Sequence, residues 1–188
     1  AYLLQTFGIM DTTPGKNAFL TTAYCVMVPF FFWMIDKKRP DAYSVIGAVI
    51  CLIGIGFISL EGDMSIRMGD VLTLCSGVFF ALHIVAVAKM VAKMDVMLLT
   101  ILQFGIAGII CLIGGVVFEV MPTQIPLKSI GGLAFLIIMP TLVGSLLQNI
   151  GQKHANPVAA SIILSLESVF GVVFSVLFYG EAVTLKVA

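Results

Sequence analysis

The chain has 188 residues, 60% of them hydrophobic and 11% charged, with a net charge of zero and a mean hydropathy of +1.14. Soluble domains carry roughly 45–50% apolar and about 25% charged residues, so the solvent for most of this chain is lipid. A neutral chain offers no footprint for nucleic acid, whose backbone selects strongly basic surfaces, and that partner is excluded.

Residues 1–10 are apolar but too short for a hydrocarbon core of about 30 Å, which needs about 20 helical residues. They read as the end of a helix that began earlier, and neither end of the chain reads as a natural terminus. Residues 11–16 form a turn. Its Gly15-Lys16 pair does not make a phosphate loop, because Gly8 lies too far upstream and Asn17 stands where Ser or Thr would hold magnesium.

Six spans follow, at 17–35, 43–60, 71–88, 96–118, 129–152 and 157–179. None shows the period-2 alternation of a barrel strand, so the fold class is all-α, a polytopic membrane helix bundle. Pro29 is expected to kink the first span and Pro140 to interrupt the fifth. Gly47, Cys51, Gly54 and Gly56 on the second span, and Gly105, Gly108, Gly114 and Gly115 on the fourth, supply small surfaces for close helix packing. Cys25, Cys51, Cys75 and Cys111 fall inside apolar runs without CxxC or Cys/His spacing, and read as small core residues. No metal, cofactor or catalytic residue is expected. Trp33 and Tyr179, near span ends, read as interface anchors.

Basic residues set the orientation, since cytoplasmic loops carry the Lys/Arg excess. Lys37, Lys38 and Arg39, then Lys89 and Lys93, then Lys153 fall in alternate loops. The loops at 36–42, 89–95 and 153–156 are therefore expected on the cytoplasmic side. The chain also repeats a phrase. Leu3-Leu4-Gln5 with Gly8 and Pro14 returns as Leu146-Leu147-Gln148 with Gly151 and Pro157, a shift of 143 positions from Leu3 to Leu146. An odd number of helices separates the copies, so they cross the membrane in opposite senses, the inverted-topology repeat of secondary transporters.

Glu167 is the sharpest single signal, because an ionisable residue near the bilayer midplane is costly and by default a functional candidate. The repeat register maps it onto Tyr24. Both are expected near a pseudo-twofold axis at mid-depth, with the Glu167 carboxyl raised toward the physiological range by desolvation. A hydrogen-bonded clasp between helices is the alternative. Asn17, Thr21 and Tyr24 recur at i, i+4 and i+7 and put a polar stripe on one helix face, which must meet a cavity or another helix. Ser161, Ser165 and Ser168 repeat the pattern and fit a packing surface. His83 and Gln103 lie within spans, and Gln148 and Asn149 fall near the cytoplasmic end of the fifth.

The run Gln148, Ala155-Asn156-Pro157, Ala160, Leu166-Glu167, Gly180-Glu181 and Thr184 resembles the EamA-type members of the drug/metabolite transporter superfamily. So does its earlier counterpart, Gln5, Pro14, Ala18, Pro29, Lys37-Lys38, Gly47 and Gly54. Ser168 departs from the pattern, standing where the family often has a proline after the Leu-Glu pair. The resemblance implies ten helices in two inverted five-helix halves, incomplete in this chain. Residues 1–63 would then hold the end of helix 3 with helices 4 and 5, and 64–188 would hold helices 6 to 9. It further implies export or import of amino acids, nucleobases or similar metabolites by alternating access at the bacterial plasma membrane. The substrate-binding candidates are Asn17, Thr21, Tyr24, His83, Gln103, Gln148, Asn149 and Glu167. The expected partners are a small-molecule substrate, the lipid bilayer, a coupling proton and a second copy of the chain. An intramembrane enzyme and a structural membrane subunit are the competing classes. HExxH and GxSxG are missing from the sequence, and no aspartate pair meets at depth.

Overall fold

The computed structural model describes residues 1–12, 14–37, 39–59, 67–118 and 126–179. Among these the chain is all-helical: α1 (Tyr2–Ile9), α2 (Pro14–Thr22), α3 (Tyr24–Asp36), α4 (Ala42–Ser59), α5 (Met68–Val91), α6 (Val96–Phe118), α7 (Leu127–Leu136), a π-helical stretch (Ile137–Gly144), α8 (Ser145–His154) and α9 (Pro157–Tyr179). Four stretches are long and apolar enough to cross a membrane: Asn17–Asp36, Met68–Val91, Val96–Val117 and Ser129–His154. Most of the polar connection at 61–70 and of the loop at 119–128 lies outside the described residues, as does the proposed boundary between 63 and 64.

Local chemistry sets the helix ends. Asp95 Oδ1 accepts from Met97 N at 2.8 Å and Leu98 N at 3.2 Å, capping the free amides that open α6. Asn156 Oδ1 accepts from Val158 N at 3.0 Å, with Pro157 at the first helical position, where its missing N–H costs nothing. Lys37 closes α3 in the left-handed conformation, φ 55, its N–H bonded to Trp33 O.

The two prolines behave differently. Pro140 lies within the π-helical stretch, so the interruption expected there is present as a widened turn. A proline at 140 cannot donate to the carbonyl of Leu136. Thr141 Oγ1 donates to that oxygen at 2.8 Å, in addition to the i→i−5 amide bonds that define the π-helical turn. Pro29, by contrast, lies inside a continuous α3, and the first span breaks at Ala23. The carbonyl of Ala23 accepts from both Val26 N (3.1 Å) and Met27 N (3.3 Å). Pro29 cannot bond the carbonyl of Cys25 in the first turn of α3, and the chain absorbs the misfit upstream.

The chain divides into two compact units, Ala1–Ala86 with Asn156–Ala188, and Val87–Ala155. In the first, Tyr24, Cys25 and Val28 of α3, Ala81, Ile84 and Val85 of α5, and Val158 of α9 form the core. Helix α5 meets α1 and α2 along Gly69, Thr73 and Gly77. A methyl on Gly8 would meet Gly69 O at 2.9 Å and collide with the Thr73 hydroxyl, and one on Gly77 would meet Thr21 O at 3.2 Å. These contacts are the close packing of small residues that holds membrane helices together without a hydrophobic drive. The glycines expected to do this are mostly idle. Gly54, Gly105, Gly108, Gly114 and Gly115 have nothing within 4 Å of an added methyl, and Gly47 meets Ile162 at 3.6 Å; the surroundings of Gly56 lie outside the described residues. The cysteines correct the reading in the same way. Cys25 is buried and Cys51 half-buried, but Cys75 and Cys111 are exposed on the helix surfaces.

In the second unit Val87, Val91, Val96 and Leu99 form a small core, with Met94 and Leu146 against it. No residue in the apolar window of the Ser129–His154 span is buried.

Candidate functional site

Helices α4 and α9 run parallel: Gly47 faces Ile162, and four residues on, Cys51 Sγ lies 2.8 Å from Ser165 Oγ. Helix α3 is joined to α4 by residues 37–41 only, a connection short enough to force a hairpin. Helix α3 is therefore antiparallel to α9, and the two pack directly, with the Thr22 and Ser168 hydroxyls 2.8 Å apart just before α3 begins. In the repeat register Thr22 corresponds to Ser165, and Cys25 to Ser168. The midpoint of these correspondences falls between Ala23 and Tyr24 in the first copy and between Leu166 and Glu167 in the second.

Glu167 stands near the middle of α9. Its side chain is exposed, on the face that also presents Ile163, Leu166, Phe170 and Phe174. Tyr24 is buried in the core, its ring tilted against Phe80 with centroids 6.4 Å apart. Asn17 and Thr21 go elsewhere. Gln5 Nε2 donates to Thr21 Oγ1 at 3.3 Å and reaches Asn17 Oδ1 at 3.5 Å, while Asn17 Nδ2 donates to Thr73 Oγ1 at 2.8 Å. Thr73 passes its own proton to Gly69 O at 2.8 Å. The expected stripe of Asn17, Thr21 and Tyr24 is thus divided by the break at Ala23, two members entering a polar network and the third an apolar core. Sequence reasoning missed Gln5 and Thr73 as members of that network. Gln5 was visible as part of the repeated phrase, whereas Thr73 carries no signal apart from its i+4 spacing between Gly69 and Gly77.

Near one end of the network Thr12 Oγ1 donates to Asp70 Oδ1 at 2.6 Å, and Gly69 N donates to Asp11 Oδ2 at 3.1 Å. An acidic side chain at the free amides of α5 suits the positive end of its dipole. His83 is exposed on α5.

In the second unit Asn149, 2% exposed, donates to Thr100 Oγ1 at 2.9 Å and to Gln103 Oε1 at 2.8 Å. Two expected residues, Gln103 and Asn149, are thus brought together, and Gln148 is half-buried nearby on α8. One turn further, Gln152 is 4% exposed, and neither its amide nitrogen nor its oxygen has a partner. Native structures seldom leave buried polar groups so.

Ser161 and Ser165 are buried, their hydroxyls donating to Val158 O at 2.8 Å and Ile162 O at 2.6 Å. They form packing surface rather than a binding wall. No group of three or more His, Cys, Asp or Glu side chains able to hold a metal ion occurs among the described residues.

The model of the EamA-like transporter family matches residues 67–188. The chain belongs to that family. An Archaeoglobus fulgidus protein described as an uncharacterized transporter is 30% identical over 183 residues, covering 97% of this chain and 58% of that relative. The chain thus spans little more than half the length of that relative. A Bacillus subtilis protein described as a UPF0060 membrane protein is 38% identical over 61 residues, covering 29% of this chain and 56% of that protein. A crystal structure at 16% identity superposes with a TM-score of 0.80 over 96% of this chain and 65% of the other, which shows the fold alone. With its apolar helices, this EamA-family chain is an integral membrane protein.

Proposed function

We propose that this chain is part of a secondary transporter that moves small metabolites, such as amino acids or nucleobases, by alternating access around a midplane cavity in a bacterial plasma membrane. The observation that carries the reading is the antiparallel seam of α3 and α9. These helices are counterparts in the repeat, and the Thr22 hydroxyl, just before α3 begins, lies 2.8 Å from that of Ser168. Two copies of opposite sense provide two equivalent gates about one site, the recurring plan of secondary transporters. Residues 1–63 and 64–188 are assigned to the first and second repeats, an assignment that the family match from residue 67 onward supports.

In this reading Glu167 carries the coupling proton at the seam, beside Tyr24. Asn17, Thr21, His83, Gln103, Gln148 and Asn149 line or brace the path. The partners are the substrate, the bilayer, the proton and a second copy of the chain. Energy comes from a gradient rather than from ATP, and no bond is made or broken in the substrate.

The test uses the full-length protein in sealed vesicles. Glu167→Gln keeps the shape of the side chain and cannot titrate. It is expected to abolish accumulation driven by a proton gradient while substrate counterflow persists. Unchanged gradient-driven transport in this variant would remove Glu167 from the mechanism.

A further inference from the structure

The network of Gln5, Asn17, Thr21 and Thr73 ties α1, α2 and α5 together through uncharged side chains, and its bonds are of two kinds. Those on the α5 side are short: Thr73 Oγ1 donates to Gly69 O at 2.8 Å and accepts from Asn17 Nδ2 at 2.8 Å. The two made by Gln5 are long, 3.3 Å to Thr21 Oγ1 and 3.5 Å to Asn17 Oδ1, against about 2.7–3.2 Å for an ordinary N–H···O bond.

The short bonds fix the orientation of Asn17. The Thr73 proton goes to Gly69 O, so the Thr73 oxygen needs a donor, and the Nδ2 end of the Asn17 amide supplies it. Asn17 Oδ1 is therefore turned toward Gln5, in a residue only 3% exposed. Gln5 is under no such constraint. Its amide bonds no other described residue, and a half-turn of that amide puts Oε1 where Nε2 stands, with the loss of two stretched bonds. Three oxygens then converge: Gln5 Oε1, Asn17 Oδ1 and Thr21 Oγ1.

Their separations select an ion. Around an octahedral cation, neighbouring oxygens stand about 1.4 times the ion–oxygen distance apart, which is about 3.4 Å for an ion of calcium's size and about 2.9 Å for magnesium. The 3.3 and 3.5 Å spacings match the larger ion. No carboxylate joins the three oxygens, since Asp11 and Asp70 are engaged with Gly69 N, Thr12 and Arg67 N. Neutral oxygens alone do not offset a double charge inside a helix bundle in lipid. Sodium has calcium's size and half its charge.

We propose that Gln5, Asn17 and Thr21 form a binding site for a sodium ion, with Thr73 positioning Asn17. Gln5 and Thr21 are half-buried, so water completes the coordination shell on their open side. The site goes beyond the transporter reading above and does not depend on it.

The test is thermal unfolding of the purified full-length protein in detergent at constant ionic strength, with sodium chloride exchanged for potassium chloride or choline chloride. Sodium is expected to raise the midpoint saturably, by about 2–4 °C over choline, at a half-saturating concentration at least about 5-fold below that of potassium. Thr21→Val keeps the shape and removes the oxygen, and is expected to raise sodium's half-saturating concentration at least about 10-fold. Gln5→Glu places a charged oxygen at the site, and is expected to lower that concentration about 10-fold and to admit calcium. Thr73→Val is expected to lose the preference for sodium over potassium, whereas Thr73→Ser, which keeps the hydroxyl, is expected to retain it. A midpoint unmoved by sodium would overturn the proposal, as would a potassium response equal to that of sodium. So would a sodium response unaltered in both Thr21→Val and Gln5→Glu. The comparison of salts on the unsubstituted protein decides the matter even where a variant fails to fold.

Discussion

The unpaired amide of Gln152 yields a prediction of unusual sign. Gln152 is 4% exposed with both polar atoms unpartnered, and a buried polar group in that state costs about 1–3 kcal/mol. Leucine has nearly the same volume and no polar atoms, so Gln152→Leu removes the penalty without opening a cavity. The expected gain is about 1–2 kcal/mol, or roughly 2–6 °C in the unfolding midpoint of the full-length protein in detergent. The contrast is Asn149, one turn earlier. It donates to Thr100 and Gln103, and Asn149→Leu would strand both acceptors, at a cost of about 1–3 kcal/mol. Two amides on one face of α8 should thus respond to the same substitution in opposite directions. Thermal unfolding followed by circular dichroism reads both. A loss of stability in Gln152→Leu comparable to that in Asn149→Leu would refute the reasoning, because it would mean that the Gln152 amide is satisfied.

Gly8→Ala should destabilise by about 1–3 kcal/mol through collision with Gly69 and Thr73, while Gly105→Ala, with open space around it, should be neutral or slightly stabilising; equal effects in the same unfolding assay would contradict the packing. The double variant Thr22→Cys with Ser168→Cys should form a disulfide under mild oxidation, because the two hydroxyls lie 2.8 Å apart; absence of a crosslink on a gel, with both single variants folded, would disprove the seam. Thr141→Val should lower stability by about 1 kcal/mol relative to Thr141→Ser, which keeps the donor to Leu136 O; identical midpoints would show that the carbonyl is served otherwise.

The spans were legible because hydrophobic length is a property of the chain alone. The segment at 157–179 agrees with α9, and that at 96–118 with α6. Pro140 announced a disturbance, whereas the Asn156 cap that opens α9 was not read from the sequence. The partners of helix faces were not legible. Gly105 and Gly54 look in sequence like Gly8 and Gly77, and only the arrival of another backbone distinguishes them. The division of Asn17 and Thr21 from Tyr24 depended on a break at Ala23, six residues before the proline that suggested one. Glu167 was identifiable by charge, but the face it occupies depends on which neighbours α9 acquires. Gln152 gave no signal, since a glutamine near a span end is ordinary until it is found buried and alone.

The π-helical stretch at Ile137–Gly144 also sets the phase of everything after it. Its hydrogen bonds reach five residues back rather than four, so it carries surplus chain, and one surplus residue swings the downstream faces by about 100° around the helix axis. That rotation turns Asn149 and Gln152 inward and leaves Leu147, 62% exposed, on the outside. A chain shortened by one residue between 137 and 144 would keep its hydropathy profile, its loops and its basic last turn. Its leucines would nevertheless point where the amides now point. The proline at 140 therefore works as an angular setting for α8, invisible to any measure of span length, and a single deletion there is a rotation of the polar face rather than a loss of material.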